Sequence, residues 1–265
     1  MFHNLGENQI KEIIDASLCS VFFIDESQRV TLSDIGTVAE IQKWAQKEGS
    51  EVIEMELLSQ FRCNGSDGYL AWLDDVLEIR ETANTDMKDI DYDIRIVDSP
   101  NELRDLIIEY NKPANRARIL AGYCWAWAKD GQNDTNVHDI KIGDFEMSWN
   151  LGNTSTFAID ENSVNEVGCI HTSQGLEFDY AGVIIGDDMR YENGHIVTDF
   201  SKRAKTDQSL KGIKKLYKEN PEFALKEADE IIKNTYRTLM TRGMKGCYVY
   251  CTDQNLAEYL KNCLK

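Results

Sequence analysis

The chain has 265 residues, with 29 Lys and Arg against 46 Asp and Glu, a net charge of −17 and a pI of about 4.7. Its 42% hydrophobic and 28% charged residues suit a folded globular protein of one large domain or two modest ones. The acidity excludes a broad basic coat for nucleic acid, and no apolar run approaches the ~20 residues of a membrane helix.

The amino-terminal residues lack the basic and apolar regions of a signal peptide. A cytoplasmic location with reduced thiols is therefore expected for the seven cysteines. No two of them form a C-x-x-C pair, and the histidines are scattered, so no metal site is expected.

Glu7 to Ser17 reads as a short helix with Ile10, Ile13 and Ile14 on one face. Leu18 to Ile24 is a continuous apolar run ending at Asp25, the pattern of a buried parallel strand. Residues 36–48 read as a helix, and Glu51 to Leu57 alternates like a strand. Residues 66–80 predict a helix capped by Ser66, with Leu70, Leu73, Val76 and Leu77 on one face. Ile94 to Val97 is a strand, and Ser99-Pro100 opens a helix to Tyr110.

Residues 116–125 read as a second buried strand, and 129–165 as loops with short strands. Val167 to Ile170 and Tyr180 to Ile185 are short strands. Arg190 to Asp199 is a hairpin turned at Asn193-Gly194. Residues 200–241 are helical with breaks, Gly246 to Cys251 is a last strand and 253–264 a last helix. Strands alternating with helices predict an α/β fold with a mostly parallel sheet. Charge divides along the chain: residues 1–200 carry 15 basic and 38 acidic groups, and residues 201–265 carry 14 and 8.

Four segments carry chemistry. In Asp25-Glu26-Ser27-Gln28 the carboxylates follow an apolar run, where α/β proteins place ligands. Asp25-Glu26 suits a Mg²⁺ ligand and general base, and Asp25-x-x-Gln28 suits a sensor of a terminal phosphate. In Gln60-Phe61-Arg62 a guanidinium just ahead of a helix suits bidentate phosphate binding. In His171-Thr172-Ser173-Gln174-Gly175-Leu176-Glu177-Phe178 the polar side chains can bond phosphates or bases, and Gly175 allows close backbone approach. Thr172 or Ser173 can equally cap a helix. In Arg237-Thr238-Leu239-Met240-Thr241-Arg242-Gly243 the arginines lie five apart, so one can face inward while the other reaches an edge.

The contents and order of these segments resemble superfamily 1 helicases. Residues 171–178 are similar to the fifth motif of those enzymes, 239–243 to the sixth and 60–62 to the fourth. The nearest likeness is to bacterial proteins with the Schlafen group 3-like DNA/RNA helicase domain. It runs over nearly the whole chain, through phrases such as QFRCNGSDGYLAWLD, EVGCIHT and NTYRTLMTRGMKGC. The chain departs from the helicase pattern in one respect: it contains no G-x-x-x-x-G-K-[ST] loop and not even a Gly-Lys pair.

The short interval from Gln28 to Arg62 then makes Asp25-x-x-Gln28 a third motif. The resemblance implies a RecA-like fold, with residues 1–50 the tail of a first RecA-like domain and 51–265 the second. It implies catalytic roles for Arg242, Arg62 and Gln28. It places Asp25, Gly175, Glu177 and Arg237 at ATP, and His171, Thr172, Ser173 and Gln174 at nucleic acid. ATP and Mg²⁺ are expected only together with an amino-terminal part carrying the phosphate loop. This chain alone is expected to be inactive and to bind DNA or RNA weakly. The competing reading is a non-catalytic RecA-like module that binds protein or nucleic acid.

Overall fold

The computed structural model describes residues 6–56, 62–127, 134–151 and 156–265. Its centre is a seven-stranded sheet, built from β1 (Asp93–Ile96), β2 (Ala117–Ala121), β3 (Ile140–Ile142), β4 (Phe145–Trp149), β5 (Glu166–Gly168), β6 (Phe178–Ile185) and β9 (Gly243–Cys251). The spatial order is β1-β9-β6-β2-β5-β4-β3. Every neighbouring pair is parallel except β3 with β4. β7 (Met189–Glu192) and β8 (His195–Thr198) form a separate hairpin. Asn193 and Gly194 both take positive φ there, as a two-residue turn of type I′ requires. Helices flank the large sheet, so the α/β class with a RecA-like parallel sheet is observed.

The middle strands are largely apolar because both faces are covered, with Arg118 of β2 a buried exception that carbonyl and amide oxygens satisfy. β2 is buried at all five residues, and Val183, Ile184 and Ile185 of β6 are fully buried. α4 (Pro100–Asn111) begins where Ser99 and Pro100 predict, with the Ser99 hydroxyl accepting from the Asn101 N–H. Its Leu103 and Ile107 pack onto Gly182, where a Cβ would stand 2.7 Å from Ile107. α3 (Asp67–Val76) is capped by Ser66, and α8 (Gln254–Cys263) by Asp253. α1 (Gln9–Asp15) and α2 (Val38–Lys47) pack on each other. The longest helix is α7 (Pro221–Met240), preceded by the short α6 (Ile213–Glu219). Its second half is buried without a break from Ile231 to Met240. No described helix is long and apolar enough to cross a membrane.

Two expected strands are absent. Residues 18–24 are irregular, with Leu18 fully exposed and Phe23 82% exposed. An apolar run becomes a buried strand only beside a hydrogen-bonding neighbour, and no described strand pairs with this one. Residues 51–56 are likewise irregular, with Ile53 and Met55 exposed. Leu57, the end of that expected strand, lies outside the described residues. The chain after residue 24 is nevertheless docked. Arg29 pairs with Glu227 at 2.7 Å and Glu230 at 3.4 Å, Asn234 donates to the Arg29 carbonyl at 3.1 Å, and Val30 is buried.

Candidate functional site

The amino ends of β6 and β9 lie side by side, and the expected site gathers there. Arg242 is the last residue before β9, and its carbonyl accepts from the Phe178 N–H at 2.8 Å. Gly243 must lack a side chain, because a Cβ would stand 2.0 Å from the Gly246 carbonyl oxygen. The close approach turns the chain directly from the end of α7 into β9. It leaves the Arg242 side chain folded back under the helix terminus.

Arg242 is 3% exposed. Its Nε donates at 3.0 Å to the Thr238 carbonyl in the last turn of α7, which also accepts from Thr241, and Nη1 donates to the Leu176 carbonyl at 3.2 Å. Nη2 is buried with no partner. No described carboxylate lies within ion-pair distance. Burial pushes this guanidinium down to about 10, and the neighbouring Arg62 charge pushes the same way, against Glu177, Cys63 and Asp25. A buried cation short of one acceptor is a site that an anion would complete.

Arg62 enters from the loop before α3. Its Nη1 pairs with Asp25 Oδ2 at 3.2 Å, across 37 residues of sequence. Asp25 caps a single 3-10 turn, Glu26–Gln28, and also accepts from the Ser27 hydroxyl and from Gln28 Nε2 at 2.7 Å. Burial raises the Asp25 carboxyl, but the bonds from Ser27, Gln28 and Arg62 and the Arg62 charge outweigh it. The group is held below the usual carboxylate range. Gln60 and Phe61, the start of that sequence segment, lie outside the described residues.

Arg237 faces the same cluster but is held by a carboxylate and a hydroxyl of the protein. Its Nε bonds Asp74 of α3, and Nη1 donates to the Ser27 hydroxyl at 3.0 Å. Arg80 takes the other Asp74 oxygen at 2.7 Å. Arg237 therefore ties α7, α3 and the 26–28 turn together. Asp74 escaped the sequence reading, although one signal was present. It stands four residues after Leu70 on the predicted apolar face, and a carboxylate on a buried face needs a cation.

Residues 169–178 run between the two ends of the sheet. Near the carboxyl end of β5 is α5 (Ile170–Ser173), a single turn whose N-cap, Cys169, makes no side-chain cap bond. The Thr172 hydroxyl donates to Asn150 Oδ1 at 2.6 Å, and the Ser173 hydroxyl donates to the Cys169 carbonyl at 3.0 Å. Both hydroxyls are buried and neither caps the helix. His171 and Gln174 are exposed. The His171 ring lies 5.9 Å from the Tyr123 ring. Gly175 turns the chain with φ +81°, and Glu177 is exposed beside Arg242.

The fold thus brings Asp25, Gln28, Arg62, Glu177, Arg237 and Arg242 to one edge, and sets His171 and Gln174 apart from it along the same segment. Residues 1–253 match the family described as Schlafen group 3, DNA/RNA helicase domain. The chain is also 25% identical over 279 aligned positions to a Saccharomyces cerevisiae protein, the uncharacterized YPL245W. That match takes in 96% of this chain and 59% of the yeast protein, so the chain spans about three-fifths of the length of that relative.

Proposed function

The chain belongs to the Schlafen group 3 DNA/RNA helicase domain family, and from that premise we propose that it is the carboxyl-terminal part of an ATP-driven motor acting on nucleic acid. Residues 51–265 are the second RecA-like domain, and 1–50 the tail of the first. The phosphate loop and the Mg²⁺ ligands come from a preceding part.

The observation that carries this reading is the unpartnered Nη2 of Arg242, buried beside Arg62 and Asp25. Triphosphate oxygens would supply the acceptors this guanidinium lacks. Arg242 then stabilises charge on the transferring phosphoryl group, and Arg62 leaves Asp25 for the terminal phosphate. Gln28, released with Asp25, reports the phosphate to the 26–30 segment and so to α7. Glu177 meets the ribose and Gly175 lets the nucleotide approach the backbone. Arg237 holds the floor of the site through Asp74. His171 and Gln174 touch the strand, while Thr172 and Ser173 keep their segment in place. Mg²⁺, when bound with ATP, supplies charge neutralisation between the phosphates.

The non-catalytic reading is favoured by one observation, the missing Gly-Lys pair. ATP turnover with Mg²⁺ and single-stranded nucleic acid separates the two. It is measured on this chain, and on this chain joined to the coding sequence that precedes Met1 in frame. No turnover by the first and turnover by the second is the expected pair of results. Turnover by the 265-residue chain alone would sink the division of labour, and silence from both would leave a binding module.

A further inference from the structure

Residues 200–219 hold seven basic groups and two acidic ones, in a chain of net charge −17. Arg203 points inward, with its side chain 2% exposed. The other six are lysines, at 202, 205, 211, 214, 215 and 218, and all are exposed. Among the described residues, five of the six form no ion pair, and Lys215 reaches only Glu219, at 3.8 Å. Most other described lysines of this acidic protein are paired: Lys11, Lys88, Lys112, Lys141, Lys233, Lys245 and Lys261 each reach a carboxylate within 3.5 Å, while Lys43, Lys47, Lys226 and Lys265, scattered along the chain, do not.

The arrangement works against local stability. α6 starts at Gly212 without a side-chain cap, and Lys214 and Lys215 stand in its first turn, against the helix dipole. Lys214 and Lys218 are like charges four apart. Yet the segment is firmly held. Arg203 pairs with Asp188 at 2.9 Å and Asp207 at 3.1 Å, the Leu32 N–H donates to the Ser209 carbonyl at 2.6 Å, and Leu210 and Ile213 are buried. The lysines are therefore displayed on an anchored surface.

That surface begins beside the fifth-motif segment. The Ala204 N–H, between Arg203 and Lys205, donates to the Tyr123 carbonyl at 2.7 Å, and the Tyr123 ring is 5.9 Å from His171. Exposed apolar residues nearby, Phe223 and Leu225, stand between the exposed acids Glu219 and Glu222 and the single basic Lys226. Those acids disfavour an anionic lipid surface there and leave a hydrated polyanion as the fitting partner.

We propose that the six lysines of residues 202–218 form a docking track for the sugar-phosphate backbone of single-stranded nucleic acid, continuing the strand path that starts at His171. This rests on the nucleic-acid role proposed above. Lysines read charge and not the 2′-hydroxyl, so the track serves DNA and RNA alike.

The test is fluorescence anisotropy of the whole chain with labelled oligothymidine and oligouridine of about 20 nucleotides, from about 50 to about 200 mM salt. Changing Lys211, Lys214, Lys215 and Lys218 together to Gln should weaken both complexes about tenfold or more at the lowest salt. The salt slope should fall by about 0.7 for each phosphate that is no longer neutralised. The matched control changes Lys11, Lys88, Lys112 and Lys141 to Gln and should shift affinity less than about threefold, since long-range charge alone is screened. Identical affinities and slopes for the two quadruple variants would overturn the track. If His171→Ala still weakened binding in that case, the strand path would stand without it. No binding of either oligonucleotide by the parent chain would remove the track and the nucleic-acid reading together. Binding to phosphatidylserine vesicles, abolished in the track variant and unaccompanied by oligonucleotide binding, would assign the lysines to lipid and refute the proposal.

Discussion

Arg203 and Arg242 are both buried arginines that flank one sheet, at its opposite ends. Arg203 lies beyond the carboxyl end of β6. There Asp188 and Asp207 take two of its nitrogens, and the Tyr236 hydroxyl bonds the other oxygen of Asp188. Burial depresses its guanidinium, but the two carboxylates more than offset this and hold it above the ordinary value. Arg242 has two carbonyls, no carboxylate at ion-pair distance and a second arginine nearby. Each guanidinium keeps one buried Nη2 without a partner, but the charge of Arg203 is neutralised by two carboxylates and that of Arg242 by none among the described residues. An unneutralised buried charge marks a site better than burial or a missing hydrogen bond alone, because a folded chain keeps such a charge only at a cost.

The contrast can be broken most decisively at Arg242. Joined to a phosphate-loop domain, Arg242→Ala should lower ATP turnover about 10³-fold or more, a loss of about 4 kcal/mol of transition-state stabilisation. An unchanged kcat would take Arg242 out of the site. The same change should cost the fold about 1 kcal/mol or less in urea melts, because two lost hydrogen bonds are set against relief of an unpaired buried charge. Arg203→Ala should do the reverse. It strands Asp188 and Asp207, and should cost about 3–5 kcal/mol of stability. Equal losses in the two variants would erase the distinction.

A smaller effect concerns a buried acid. Glu166 in β5 has one carboxylate oxygen without a partner. Burial pushes its carboxyl up to about 7, aided by Asp160 and opposed by the Leu151 N–H and Arg118. Between the ordinary value of 4.5 and about 7, the unfolded chain gives up this proton and the folded chain keeps it. Stability therefore falls with rising pH across that window. Glu166→Gln should be neutral below it and stabilising above it, by about 1–3 kcal/mol. A gain that is the same at pH 4 and pH 8 would show that the native carboxyl is not the cause. The smallest effect is expected at Phe23, which the fold leaves in solvent. Phe23→Ser should change the stability of this chain by less than about 0.5 kcal/mol, and a loss above about 2 kcal/mol would mean that the segment is packed after all.

Much of the fold was legible because its signals are local. Ser66, Ser99 with Pro100, and Asn193-Gly194 each satisfy a backbone need within a few residues, and each element stands where its signal predicts. Residues 18–24 misled for the opposite reason. Their apolar pattern describes a strand covered on both sides, and coverage depends on other segments. Some of the residues singled out in the sequence do lie together, with Asp25 meeting Arg62 and, across more than two hundred residues, Ser27 meeting Arg237. Their division into free and engaged was not legible. Arg237 and Arg242 look alike in sequence, and only Asp74, brought from α3, makes one of them structural.

Periodicity, caps and composition act over short range, and they were enough to set the α/β order of elements and the uneven spread of charge. Three outcomes waited for the folded chain: which of the compared arginines lacks a carboxylate, which hydroxyls of the 171–174 segment turn inward, and which lysines stand unpaired. They depend on distances between residues far apart in the chain, where desolvation and ion pairing are settled by what the fold places within a few ångströms.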